Sequence, residues 1–148
     1  MEVNDLLVLE CVTANLKATS KKQALQDLAR RAAEVSGLHE RAVFDVLMER
    51  ERLGTTGVGN GIAIPHGKLP NLDRLYGLFA RLSQPIDFQA IDERPVDLVF
   101  VLLAPEGAGA DHLKALARIS RLLRNQNVCE KLRGTDNAEA LFAILTES

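Results

Sequence analysis

The apolar positions of this chain follow two rhythms, and their order predicts its elements. From Ser20 the text runs "SKKQALQDLARRAAEVSG", with Leu25, Leu28, Ala29 and Ala32 at helical spacing. Ser20 and Gln23 supply a capping-box pair and Gly37 follows the last turn, so the segment reads as a helix. "HERAVFDVLMERERLG" repeats the rhythm: Val43, Phe44, Val46 and Leu47 form a stripe, and the charged run Glu49 to Arg52 closes it before Gly54.

The helical period then stops. Thr55 to Gly61 carries glycines at alternate positions, Gly57, Gly59 and Gly61, and reads as a loop able to reach backbone conformations closed to other residues. "IAIP" reads as a short strand that delivers His66 at its end, and "RLYGLFARL" as another strand, broken by Pro85 before a further extended piece. "VDLVFVLLAP" is apolar without alternation, the pattern of a strand covered on both faces, and is expected at the sheet centre. Helical spacing returns in "DHLKALARISRLLRN", where Leu113, Leu116, Ala117, Ser120 and Leu123 share a face, Asp111 is the expected N-cap and His112 falls in the first turn. A short helix, "VCEKLRG", precedes a last one, "DNAEALFAILTES", with Asp136 and Glu139 as its capping box.

Two helices, a group of strands and three more helices predict a mixed-sheet α/β sandwich with helices on both faces of a central sheet. Strict strand–helix alternation is missing, which argues against a doubly wound parallel sheet and for hairpins among the strands. A length of 148 residues suits a single domain spanning 1–148.

Composition narrows the function. A formal net charge of -2 offers no broad basic field for nucleic acid or an anionic membrane, so any phosphate chemistry must be local. The apolar run "MEVNDLLVLECV" is shorter than a membrane span and lacks a basic leader and a cleavage site, so membrane insertion is not expected. Cys11 and Cys129 form neither a C-x-x-C pair nor a metal-ligand spacing; a reducing cytoplasm fits, with no cofactor and no metal expected.

The candidate chemistry centres on histidines. His39 reads as a solvated residue before the second helix. His66 is more constrained: Pro65 has a fixed φ and biases Ile64 toward extended geometry, while Gly67 relieves crowding. His112, at a helix start, lies where unpaired N–H groups favour an anion and the dipole depresses an imidazole pKa. Within the charged run, Arg50 or Arg52 can present planar, always-charged donors to phosphoryl oxygens across the glycine loop. "GVGNG" lacks the G-K-[ST] of a P-loop and precedes a strand-like run, which disfavours nucleotide binding. A metal site joining His66, His112 and Asp111 lacks a recognisable ligand spacing and ranks last.

Together, "RERLGTTGVGNGIAIPHGKL" and "DLVFVLLAPEGAGADHLKALARISRLL" resemble the type-2 IIA proteins of the bacterial phosphoenolpyruvate-dependent phosphotransferase system, the nitrogen-regulatory branch most of all. The resemblance implies a phosphohistidine carrier that accepts a phosphoryl group on His66, through Nε2, from a phosphorylated HPr-like (NPr) protein. It implies support of that group by His112 and charge stabilisation by Arg50, with Arg52 in second rank. It also implies that phosphorylation state governs binding to regulated proteins such as potassium transport or sensor-kinase components. The lack of an attached IIB or IIC domain fits a stand-alone regulator. A phosphorylation-independent regulatory binding module is the alternative.

Overall fold

The computed structural model describes residues 1–148. Two 3-10 turns, Val3–Asp5 and Leu9–Cys11, lead into β1 (Val12–Leu16), a strand that the sequence reading did not anticipate. Helices α1 (Lys21–Ser36) and α2 (Glu40–Leu53) follow, then β2 (Gly57–Gly59), β3 (Ile62–Ala63), β4 (His66–Leu69), β5 (Tyr76–Ile86) and β6 (Val96–Pro105). Helices α3 (Ala110–Arg124), α4 (Gln126–Arg133) and α5 (Ala138–Glu147) end the chain.

The six strands make one mixed sheet in the order β1-β5-β6-β3-β2, with β4 also paired to β6. β6 is central: it runs antiparallel to β5 and parallel to β3 and β4. Every position from Leu98 to Ala104 is fully buried, as in a strand covered on both faces. Phe79 and Phe100 meet across the β5–β6 ladder with ring centroids 6.2 Å apart, edge to face.

Helices lie on both faces of the sheet. His66 and Gly67 are successive residues of β4 and so point to opposite sides. A Cβ built on Gly67 would meet Val46 of α2, while the His66 ring faces His112 of α3.

Several local expectations need correction. Pro85 does not end its strand: β5 continues to Ile86, and the ladder with β6 shifts register between Arg81 and Ile86, the kind of irregularity that tolerates a missing N–H. The glycine segment is not a plain loop. Gly59 pairs with Ile62 and leaves Asn60 and Gly61 as a two-residue turn, both at positive φ (58° and 80°), so β2 and β3 form a tight hairpin. His66 does not end the "IAIP" strand either; it opens β4 after a break at Ile64 and Pro65, and β3 and β4 keep the same offset along β6 across that break.

The buried face of α3 is His112, Ala115, Ile119, Leu122 and Leu123, one position away from the stripe expected from the pattern; Leu113 is 69% exposed. Its N-cap is Gly109 and not Asp111, because Ala110 already has helical geometry. The last helix is capped by Asn137, whose side chain accepts from the Ala140 N–H, and not by Asp136. At α1 the cap is Ser20, accepting from the Gln23 N–H, but Gln23 returns its bond to Thr19 N–H at 2.8 Å.

Candidate functional site

The site forms where β4, α2 and α3 converge. Gly67 is what permits the approach of β4 to α2: any Cβ there would stand 2.3 Å from Val46 Cγ1. That close packing brings the last turn of α2 alongside His66, one residue earlier on the strand.

His66 is half-buried and held from both sides. Its Nδ1 lies 2.9 Å from the Ile64 carbonyl, an oxygen that only accepts, so Nδ1 carries the proton and donates. The Arg50 Nε–H points at Nε2 from 3.4 Å, which requires that nitrogen to be unprotonated. The pair of contacts selects one neutral tautomer, with the ring's lone pair on Nε2. Burial pushes the His66 pKa below its ordinary 6.5; the Ile64 bond opposes this, Arg50 adds to it, and Glu51 opposes it weakly.

Arg50 is braced by a 2.8 Å bond from Nη1 to the Gly54 carbonyl, the residue that ends α2. Arg52 points elsewhere: it pairs with Glu49 one helical turn back, and both side chains are exposed. The structure thus brings Arg50 to the histidine and leaves Arg52 outside.

His112 is buried, at 8% exposure, with its ring centroid 5.7 Å from that of His66. Its Nε2 is buried without any hydrogen-bond partner. Such an orphan costs about 1–3 kcal/mol in a folded protein, a cost that a hydrogen bond to a bound group would remove. Desolvation lowers the His112 pKa first, and the neighbouring His66 and Lys68 lower it further, so two neutral imidazoles face one another.

The three glycines of the hairpin have other neighbours. A Cβ on Gly57 would strike Ala90, one on Gly59 would meet Asp92, and one on Gly61 would collide with Arg133 and Asp97. Their observed service is to seat the hairpin against those residues. His39 sits at the start of α2 without a side-chain capping bond. No group of three or more histidine, cysteine, aspartate or glutamate side chains is placed to hold a metal ion.

Sequence reasoning missed Glu51. Read as part of a solvated helix end, it is instead buried at 8% exposure, and its carboxylate accepts from both the N–H and the hydroxyl of Thr56 and pairs with Lys21 at 2.7 Å. Its position on the same face as Val43, Phe44 and Leu47 was the available signal, since residues four apart share a helix face. Leu53 of α2, Val58 of β2 and Leu113 of α3 expose 84%, 49% and 69% of their surfaces.

A family model described as "Phosphoenolpyruvate-dependent sugar phosphotransferase system, EIIA 2" matches residues 5–148. The chain is 62% identical over 145 residues to a nitrogen regulatory protein of Bradyrhizobium diazoefficiens, covering 98% of this chain and 95% of that one. It is 40% identical to a nitrogen regulatory protein of Klebsiella oxytoca, covering 100% of this chain and 92% of the relative. Among solved structures it is similar to the nitrogen regulatory protein IIA-Ntr of Neisseria meningitidis, with a TM-score of 0.92 and 35% identity over 97% of this chain and 99% of that one.

Proposed function

We propose that this chain, which belongs to the type-2 EIIA family of the phosphoenolpyruvate-dependent sugar phosphotransferase system, accepts a phosphoryl group on His66 Nε2 from a phosphorylated HPr-like carrier and regulates other proteins according to its phosphorylation state. The observation that carries the reading is the orientation of His66, with Nδ1 donating to Ile64 and Nε2 accepting from Arg50, while the His112 ring, whose Nε2 is unpartnered, lies 5.7 Å away between centroids.

In the transfer, Nε2 supplies the electron pair for a new N–P bond as the N–P bond to the donor's histidine breaks, and the departing imidazole keeps that electron pair. Phosphoryl transfer depends mainly on position and charge stabilisation, so few groups are needed. Arg50 turns from Nε2 to the phosphoryl oxygens as the new bond forms, supplying planar cationic donors. His112 donates from Nε2–H to a phosphoryl oxygen, which satisfies its buried nitrogen. Neutral His66 is the competent form, and its lowered pKa keeps that form dominant at neutral pH.

Leu53 and Leu113 provide exposed apolar area on α2 and α3, two of the elements that bear the site, suited to a transient partner interface. A phosphoryl group adds roughly two negative charges there and alters which surfaces can dock. The relatives' name, nitrogen regulatory protein, supports a regulatory readout, and potassium transport or sensor-kinase components are the class of target we favour over a sugar permease.

Incubation with phosphoenolpyruvate, enzyme I and an HPr-type carrier, followed by intact-mass measurement, tests the reading. One acid-labile phosphate on the wild type and none on a folded His66→Ala variant is expected. Wild type that stays unmodified beside a charged donor would point instead to a phosphorylation-independent binding module.

A further inference from the structure

The buried carboxylate of Glu51 has no place in the transfer chemistry described above, and its location is unfavourable on its own terms. It is the least exposed charged side chain at the end of α2, where the helix dipole disfavours an anion and where burial strips its hydration. A buried ion pair gives the fold little net stability over apolar residues replacing both partners, so its presence calls for another reason. What the carboxylate does have is three contacts on two other segments: Lys21 Nζ of α1 at 2.7 Å, the Thr56 N–H at 3.1 Å and the Thr56 hydroxyl.

Those contacts close a ring. The Thr56 carbonyl accepts from Ile64 N–H at 3.0 Å, the Ile64 carbonyl accepts from His66 Nδ1 at 2.9 Å, and His66 Nε2 accepts from Arg50, the residue covalently adjacent to Glu51. Both nitrogens of the imidazole therefore lie on one circuit that begins and ends at the Arg50–Glu51 peptide. Lys21 is itself fixed, its ammonium 4.8 Å above the Phe88 ring, and the Phe88 carbonyl accepts from the Thr55 hydroxyl at 3.0 Å. This second route thus ends on Thr55, the residue covalently adjacent to Thr56.

We propose that Glu51, anchored by Lys21, is a positioning residue that sets the span between Arg50 and His66 by clamping the end of α2 to Thr56. This deepens the phosphocarrier reading and rests on it for its kinetic consequence. Without the clamp the imidazole keeps its Ile64 bond, but the guanidinium is no longer held over Nε2.

The test uses the full chain, a phosphorylated HPr-type donor and rapid-quench measurement of transfer. Glu51→Gln is expected to lower the maximal rate at least about tenfold while leaving the half-saturating donor concentration within about twofold, because misplacement by one ångström is enough to cost that much. In an Arg50→Ala background the same change should cost less than about twofold, since both residues act through one contact. Thr56→Val, isosteric and uncharged, is the second variant and carries the test if Glu51→Gln does not fold.

A proton titration of the His66 ring by NMR, on unphosphorylated protein, separates positioning from plain electrostatics. Arg50, Glu51 and His112 are the ionisable groups that act on this ring. Deleting the carboxylate alone would move the His66 midpoint down, whereas release of Arg50 moves it up, and the upward shift is expected. Wild-type transfer rates in folded Glu51→Gln and Thr56→Val, or full additivity with Arg50→Ala, overturn the clamp. Wild type that takes no phosphate overturns the carrier reading instead, and the direction of the His66 shift then decides the clamp by itself.

Discussion

Two polar clusters flank the β3–β4 line of the sheet, and they are built on opposite plans. Around Ile62, Arg133 reaches from α4 to bind both oxygens of Asp97 at 2.8 and 3.0 Å and the Asn60 carbonyl at 2.7 Å, while Arg81 caps the Arg133 carbonyl at 3.0 Å. Four residues along, roughly 13 Å at strand rise, His66 and His112 face each other with one buried nitrogen unpartnered and one arginine contact stretched to 3.4 Å. The first cluster is saturated and holds α4 to the sheet. The second leaves the His112 Nε2 unpartnered and the His66 Nε2 only weakly engaged, a cost in the resting fold that a bound hydrogen-bonding group would remove.

The contrast can be broken from either side. Arg50→Ala should slow phosphoryl acceptance about 100-fold with little change in melting temperature, the usual cost of removing one donor to a developing anion. Quenched-flow transfer assays on protein of verified Tm check this.

Gly67→Ala strikes the packing under the site. Its Cβ would stand 2.3 Å from Val46 Cγ1, so α2 must retreat or Val46 must turn. A loss of about 1–3 kcal/mol by urea unfolding is expected, together with slower transfer, and Val46→Ala in the same chain should restore much of both.

Arg133→Met does the reverse. It leaves Asp97 half-buried and unpaired and should lower stability by about 1–2 kcal/mol, with transfer per folded molecule unchanged. A defect in transfer at full folding would dissolve the division between the two clusters.

The smallest effect is in pH. Both site histidines have folded pKa values below 6.5, mainly through burial, so the unfolded chain binds protons more readily than the folded one. Their contribution is complete above about pH 6.5 and is lost as pH falls through the lower folded values. Tm should therefore decline from roughly pH 7 to 5, less steeply in His112→Gln, and transfer should keep its acid midpoint below 6.5. A matching decline in Arg133→Met would show that the slope belongs to the histidines and not to the saturated pair.

Local sequence was enough to specify the helices with a regular apolar stripe before a closing glycine, α1 and α2, and the central strand β6, because burial on one face or two imposes a local period. It also made His66 legible, since Pro65 and Gly67 restrict the chain on either side of the ring. The Asn60-Gly61 turn was legible too, in the one dipeptide that most favours a tight hairpin, and was obscured by the glycines around it. Docking in three dimensions settled which arginine faces the histidine, which face of α3 is inward and that Glu51 is buried. In a run such as "ERER" or "DHLKALARIS" each neighbour is rotated by about 100°, so a one-residue shift in the helix's docking exchanges the buried group for the exposed one. That docking depends on Gly67 against Val46 and on Lys21 against Glu51, contacts between residues far apart in the chain that no local period records.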